Sequence, residues 1–277
     1  MTLLSGMGMS RRQFLQAGCL AGCLAVCGAA IPWPASASAR NYYAANRARL
    51  LADFKGVCDG VRQYIAAAYP GLPAPVVAAD ALAAFESMLP GMTDLGGDAN
   101  RNQVYLTQAG WLAAIHAAMK SHGRAAADSG RLFYDLNAMD IANTPGPDLK
   151  ARGEAFFSRE SRDSLVAWAQ WTELRTYPGD WVARAYVGDG SRPDLVPDLG
   201  YDLGYDMLEC GAVKLFKAQG MMDVAPYFCL NDFPRSRAEG TGLVRTGTIA
   251  QGAALCDFRH KKGRDVTQGW ETEASRF

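Results

Sequence analysis

The residues with most chemistry to offer lie in the last third of the chain. Glu209 and Cys210 are adjacent, Cys229 is followed three residues later by Asp232, and the run Thr248-Ile249-Ala250-Gln251-Gly252-Ala253-Ala254-Leu255-Cys256-Asp257-Phe258 contains a further cysteine–acid pair. A thiolate attacks electron-poor carbon, and positive or hydrogen-bonding surroundings lower its pKa. Arg245 falls in the same stretch and can pair with a carboxylate of the protein or of a substrate. Signatures of other chemistries are missing. There is no G-x-x-x-x-G-K-[ST], no G-x-G-x-x-G after a strand, no H-E-x-x-H, no G-x-S-x-G and no C-x-x-C, so nucleotide-binding, zinc-protease and α/β-hydrolase readings have no support. With only His116, His122 and His260 in the chain, a multi-histidine metal site would need nearly all of them.

In order, the E-C pair, the C-x-x-D element and the T-x-x-x-G-x-x-x-C-D-F segment resemble the C-terminal signature of the L-2-amino-thiazoline-4-carboxylic acid hydrolase family. The likeness covers residues 200–260 and is looser in the helical half. It implies hydrolytic opening of a cyclic isothiourea or related C–N/C–S substrate. Such a reaction starts at the amidine-like carbon. It needs a nucleophile, a proton donor for the leaving sulfur or nitrogen, and a carboxylate to hold the cationic amidine. On this reading Cys256 is the first choice of nucleophile. Cys229, Asp232, Asp257 and Glu209 complete the catalytic set, and Arg245 and Cys210 are substrate-binding residues. The expected partner is a small molecule, with no cofactor and no metal.

Backbone geometry constrains this set. In a regular strand over Leu255 to His260, Cys256, Phe258 and His260 share one face while Asp257 and Arg259 share the other. Cys256 and Asp257 enter one pocket only if the strand bulges; otherwise one of them is structural, and Asp257 bonding the hairpin backbone is the plain alternative. His260 is about 13 Å from Cys256 at ~3.3 Å per residue, too far for a direct base. Cys229 and Asp232 would be neighbours on a helical turn. Other readings stay open. The cysteines can be buried apolar residues, Cys229 and Cys256 can form a structural disulfide, or the thiols and nearby acids can ligate a metal. A non-catalytic small-ligand module is the competing class. Trp168, Trp171 and Trp181 read as core. Asp189, Asp194, Asp198, Asp202 and Asp206 lie in a Gly/Pro-rich stretch without the D-x-D-x-D-G spacing of a calcium loop, and read as a solvated acidic loop.

The elements that must position these groups change character along the chain. From Asn41 to about Thr176 apolar residues recur at three and four positions. Leu50, Leu51, Phe54, Val57, Cys58, Val61 and Ile65 line one helix that Pro70 and Gly71 end. Further helices are expected over Val77 to Leu89, Gln103 to His122 with Gly123 as cap, and Phe156 to Tyr177. After Gly179, strands are expected over Trp181 to Val187 and Tyr205 to Cys210. A short helix over Val213 to Gln219 and a short element over Val224 to Asp232 follow. A hairpin of Leu243 to Ile249 with Ala254 to His260 turns at Ala250-Gln251-Gly252. The expected fold is α+β, a helical N-terminal half (40–177) packed with a mostly antiparallel C-terminal sheet (178–277), as one domain.

Composition narrows the classes. The 277 residues carry 28 Lys plus Arg against 28 Asp plus Glu and are 49% hydrophobic, which fits neither a disordered chain nor a basic nucleic-acid-binding surface. Ser10-Arg11-Arg12-Gln13-Phe14-Leu15 is a twin-arginine pattern. An apolar stretch from Ala17 to Ile31 and the site-like Ala37-Ser38-Ala39 follow it. Residues 1–39 therefore read as a signal peptide for the twin-arginine export machinery, placing the mature protein in the periplasm or outside the cytoplasm. Leu20-Ala21-Gly22-Cys23 is a weaker lipoprotein-type box, which would tie the protein to a membrane through Cys23. Without residues 1–39 the count is 26 basic and 28 acidic side chains, net −2, and four cysteines remain: Cys58, Cys210, Cys229 and Cys256.

Overall fold

A computed structural model of the protein describes residues 41–174, 179–187 and 200–277. Residues 1–39, expected above to be a signal peptide, and the stretch holding Asp189, Asp194 and Asp198 lie outside the described residues. The fold is α+β, with helices first and a small antiparallel sheet in the C-terminal part.

A short helix α1 (Tyr42–Ala45) is capped by the Asn41 side chain, which accepts from the Tyr43 amide at 2.9 Å. Helix α2 (Arg47–Ala68) buries Leu50, Phe54, Val57, Cys58, Val61 and Ile65, the face its spacing predicts, and stops before Pro70. Helices α3 (Ala74–Met88) and α4 (Asn102–Ser121) follow. Gly123 takes φ +76 just after α4 and turns the chain. Helices α5 (Ala126–Ala142) and α6 (Gly146–Phe156) precede α7 (Arg159–Leu174), and neither was among the expected elements. The buried stripe of α5 mixes Ser129, Gly130 and Asn137 with Leu132, Phe133 and Leu136, which dilutes its apolar period. Gly130 has a packing cause: a Cβ there would sit 2.5 Å from the Tyr227 side chain.

The sheet has the order β1 (Val182–Val187), β2 (Leu203–Glu209), β4 (Cys256–His260) and β3 (Leu243–Val244), every pair antiparallel. Helix α8 (Gly211–Ala218) leaves the end of β2 almost at once, and α9 (Ala225–Cys229) and α10 (Asp232–Glu239) lead to β3. The short element expected over Val224 to Asp232 is thus α9 and the start of α10. The expected hairpin is corrected. Instead of a strand to Ile249, β3 has two residues, and the chain then forms a loop with a 3₁₀ turn at Ile249–Gln251. The cause is Asp257, whose carboxylate takes the Thr246 and Gly247 amides that a longer strand would have given to its ladder.

One large apolar cluster runs from Tyr42 to Val266 and draws on both halves; a smaller one seats α7 on β1 and β2 through Leu165, Trp168, Ala169, Ala183 and Leu203. Behind the sheet Arg259 and Asp206 form a fully buried ion pair at 2.8 Å, with Arg259 also donating to the carbonyls of Tyr205 and Phe258. Among the described residues no helix is long and apolar enough to cross a membrane.

Candidate active site

Strand β4 opens the site. The β2–β4 register runs unbroken from Leu203 opposite His260 to Met207 opposite Cys256, so no bulge brings Asp257 round beside Cys256. Cys256 and Phe258 line the cavity described below, and Asp257 does not. Its carboxylate, 2% exposed, instead accepts from the Thr246 amide (2.9 and 3.1 Å), the Gly247 amide (3.0 Å) and the Thr246 hydroxyl (2.8 Å). Held this way, the following turn lies against Cys256, and the Ile249 amide donates to Cys256 Sγ at 3.2 Å. Thr248 starts the turn by accepting from the Gln251 amide, and Gly252 ends it at φ +92, a conformation glycine adopts without strain. The Thr, Gly, Cys and Asp of the sequence run each have a place in this one loop.

Cys229 ends α9 and Asp232 begins α10. Arg245 joins them: Nη1 donates to Asp232 Oδ2 at 2.8 Å and Nη2 to the Cys229 carbonyl at 2.7 Å. Its guanidinium lies 5.0 Å from the Phe233 ring centre and 4.9 Å from that of Phe258, which in turn stacks on Tyr205. Only 3% of the Arg245 side chain is exposed, so this cation is engaged within the protein, whereas Asp232 is 46% exposed. Cys210 occupies the N-cap position of α8. The next residue must be glycine: a Cβ on Gly211 would lie 2.5 Å from the Gly179 carbonyl and 2.6 Å from the Trp181 ring. Glu209 is exposed, pairs with Lys214 and takes no part in the cavity wall.

Cys210, Cys229 and Cys256 line one cavity of about 180 Å³ together with Asp232 and Arg245. The structure therefore brings these five together and leaves Glu209 and Asp257 outside. The other wall comes from the helical half, through Arg101, Tyr105 and Trp111 at and in α4, Phe133 and Asn137 in α5, and Trp168 in α7. Trp168 and Trp181 are buried and also line the cavity, so they serve the core and the wall together. Sequence reasoning missed these helical residues. The available signal was polar side chains, Asn102, Gln108 and Asn137, interrupting otherwise apolar helix faces.

Burial pushes all three cavity thiols up to about 12. Against this, the Ile249 amide favours the Cys256 thiolate, the Arg245 charge favours that of Cys229, and the Val213 and Ala212 amides with the Trp181 indole favour that of Cys210. Cys210 feels Cys229, Cys229 feels Cys256 and Cys256 feels Cys210, so the sulfurs form one electrostatic group. All four cysteines of the described chain are free thiols. Among the described residues no group of three or more His, Cys, Asp or Glu is arranged to hold a metal ion. A separate polar row, Ser129 Oγ to His116 Nδ1 (3.1 Å) and His116 Nε2 to Asp223 (3.3 Å), has the membership of a hydrolytic triad. Ser129 and His116 are 0% exposed, so no substrate carbon reaches that hydroxyl.

The family model described as L-2-amino-thiazoline-4-carboxylic acid hydrolase matches residues 106–260. No curated protein and no solved structure matches the chain.

Proposed function

The chain belongs to the L-2-amino-thiazoline-4-carboxylic acid hydrolase family, and from that premise we propose that it is an exported, cysteine-dependent hydrolase opening a small cyclic amidine-like substrate. The observation that carries this reading is the convergence of Cys210, Cys229 and Cys256 with Asp232 on one cavity. A cationic amidine docks against the Asp232 carboxylate. Its charge lowers the pKa of the nearby thiols, which are protonated at neutral pH when the cavity is empty. Cys256 Sγ then bonds to the amidine carbon, the ring C–S or C–N bond breaks, and the proton from the thiol ends on the leaving sulfur or nitrogen. Water attacks the same carbon and displaces Cys256, which recovers a proton from that water. The net change is the addition of one water across the ring bond. Asp257 acts on the reaction through the loop that presents the Ile249 amide to Cys256.

Cys256→Ser assayed against thiazolines, carbamoyl amino acids and amidines tests the chemistry: loss of all turnover with retained ligand binding is expected, and full activity overturns cysteine dependence at this position. The high thiol pKa values favour one competing reading, a ligand-binding module with inert buried thiols. It predicts binding without turnover by the unaltered protein. Export by the twin-arginine route is tested by cell fractionation and N-terminal sequencing. A mature chain beginning at Arg40 is expected, and a cytoplasmic, uncut chain overturns it.

A further inference from the structure

Among the described residues three cations line the cavity, Arg101, Arg235 and Arg245, and they are not equivalent. Arg245 is held by Asp232 and by the Cys229 carbonyl. Arg235 pairs with Glu239 at 3.5 Å. Arg101 has no carboxylate partner among the described residues; its guanidinium lies 4.7 Å from the ring centre of Trp168. A guanidinium laid on an indole keeps its N–H edge free, the edge that meets a carboxylate with two parallel bonds.

The backbone around Arg101 is fixed from both sides. The Asn100 and Asn102 side chains both donate to the buried carboxylate of Asp180, at 2.8 and 2.7 Å, and the Asn102 amide donates to Asn100 Oδ1 at 3.0 Å. A long cationic side chain is thus anchored at its root and along its face, and among the described residues no carboxylate pairs with its charge. Tyr205 feels Arg101 and, among other charges, Asp232 and Arg245. The cavity wall therefore carries Arg101 and the partly exposed Asp232, both close enough to Tyr205 to act on its ionisation.

We infer that Arg101, and not Arg245 or Arg235, is the specificity-determining residue that reads the carboxylate carried by the family's named substrate, with the amidine at Asp232. This assigns to Arg101 the anion-reading role that sequence reasoning gave to Arg245, and it rests on the cavity being the active site. Arg101 precedes the matched family segment, which begins at residue 106. Each charge of such a ligand finds an opposite charge on the cavity wall, and a cavity of about 180 Å³ suits a small molecule.

The test uses two stable aromatic probes, 2-aminothiazole-4-carboxylate and its carboxamide, titrated by calorimetry into the full chain, Arg101→Gln and Arg101→Lys. The acid should bind the unaltered protein about 10- to 100-fold more tightly than the amide. Arg101→Gln should lose that margin while binding the amide unchanged, and Arg101→Lys should recover part of it, since a point charge lacks the planar fork. Equal binding of acid and amide by the unaltered protein, no binding of the acid, or equal weakening of both probes in Arg101→Gln overturns the assignment. Neither probe is hydrolysed, so absence of turnover on thiazolines with the acid margin intact strikes the hydrolase reading and leaves the role of Arg101 standing.

Discussion

Asp257→Ala separates a catalytic acid from a loop anchor. The Asp257 carboxylate is 2% exposed and holds the Thr246 and Gly247 amides and the Thr246 hydroxyl at 2.8 to 3.1 Å. Hydrogen bonds to charged groups contribute roughly 1.5–3 kcal/mol each, and three donors lose a charged acceptor together. Their effects are not additive, because the released loop lets water reach them, so about 4 kcal/mol is expected. Urea unfolding should show this as a lower midpoint at unchanged m-value. Asp257→Asn keeps one acceptor oxygen and should lose roughly half as much. Activity should fall in step with the loop, since the amide facing Cys256 belongs to it. Stability within about 0.5 kcal/mol of the unaltered protein combined with lost turnover would refute this reasoning and make Asp257 a direct participant.

Other outcomes follow from the same geometry. Arg245→Met leaves the Cys229 carbonyl and Asp232 without their donor; because Asp232 is half exposed the cost is about 1.5–3 kcal/mol in urea, and Arg245→Lys, able to keep only one of the two contacts well, should lie between. Burial lowers the His260 pKa to about 3, so the unfolded chain takes up a proton below pH 6.5 that the folded chain refuses. The stabilisation present above pH 6.5 is then lost as pH falls towards 3, by at most about 1.4 kcal/mol per pH unit, and His260→Phe should flatten that part of the stability profile. With cavity thiols near 12, iodoacetamide labelling of Cys256 in the empty protein should accelerate about tenfold per pH unit from 7 to 10. A plateau near neutrality, read by mass spectrometry, would show an activated thiolate and contradict the effect of burial.

Much of the architecture is legible in the sequence. The apolar period of α2, the Pro70 stop, the Gly123 turn and the alternation in β4 are local, set by residues within a few positions of each other. Alternation alone placed Cys256 and Asp257 on opposite faces. The failures came from contacts that local pattern does not contain. Helix α5 hid because close packing against Tyr227 requires a glycine within its buried stripe, and β3 was overextended because a side-chain carboxylate eleven residues away removed its ladder amides.

The residue types and spacing of the C-terminal third, by themselves, determined which thiols and acids were available and which family they resemble. Only the tertiary structure decided which of them meet. Cys210, Cys229 and Cys256 share a cavity because the junction of β2 with α8, helix α9 and strand β4 pack on one core, a relation with no fixed sequence separation. Charge pairing was decided at the same level. Asp232 takes Arg245 and Asp180 holds the asparagines beside Arg101, leaving Arg101 as the cavity cation without a carboxylate partner among the described residues. Whether an ionic side chain is a strut or a binding group depends on which opposite charge folding brings within about 4 Å, and neither composition nor periodicity encodes that distance.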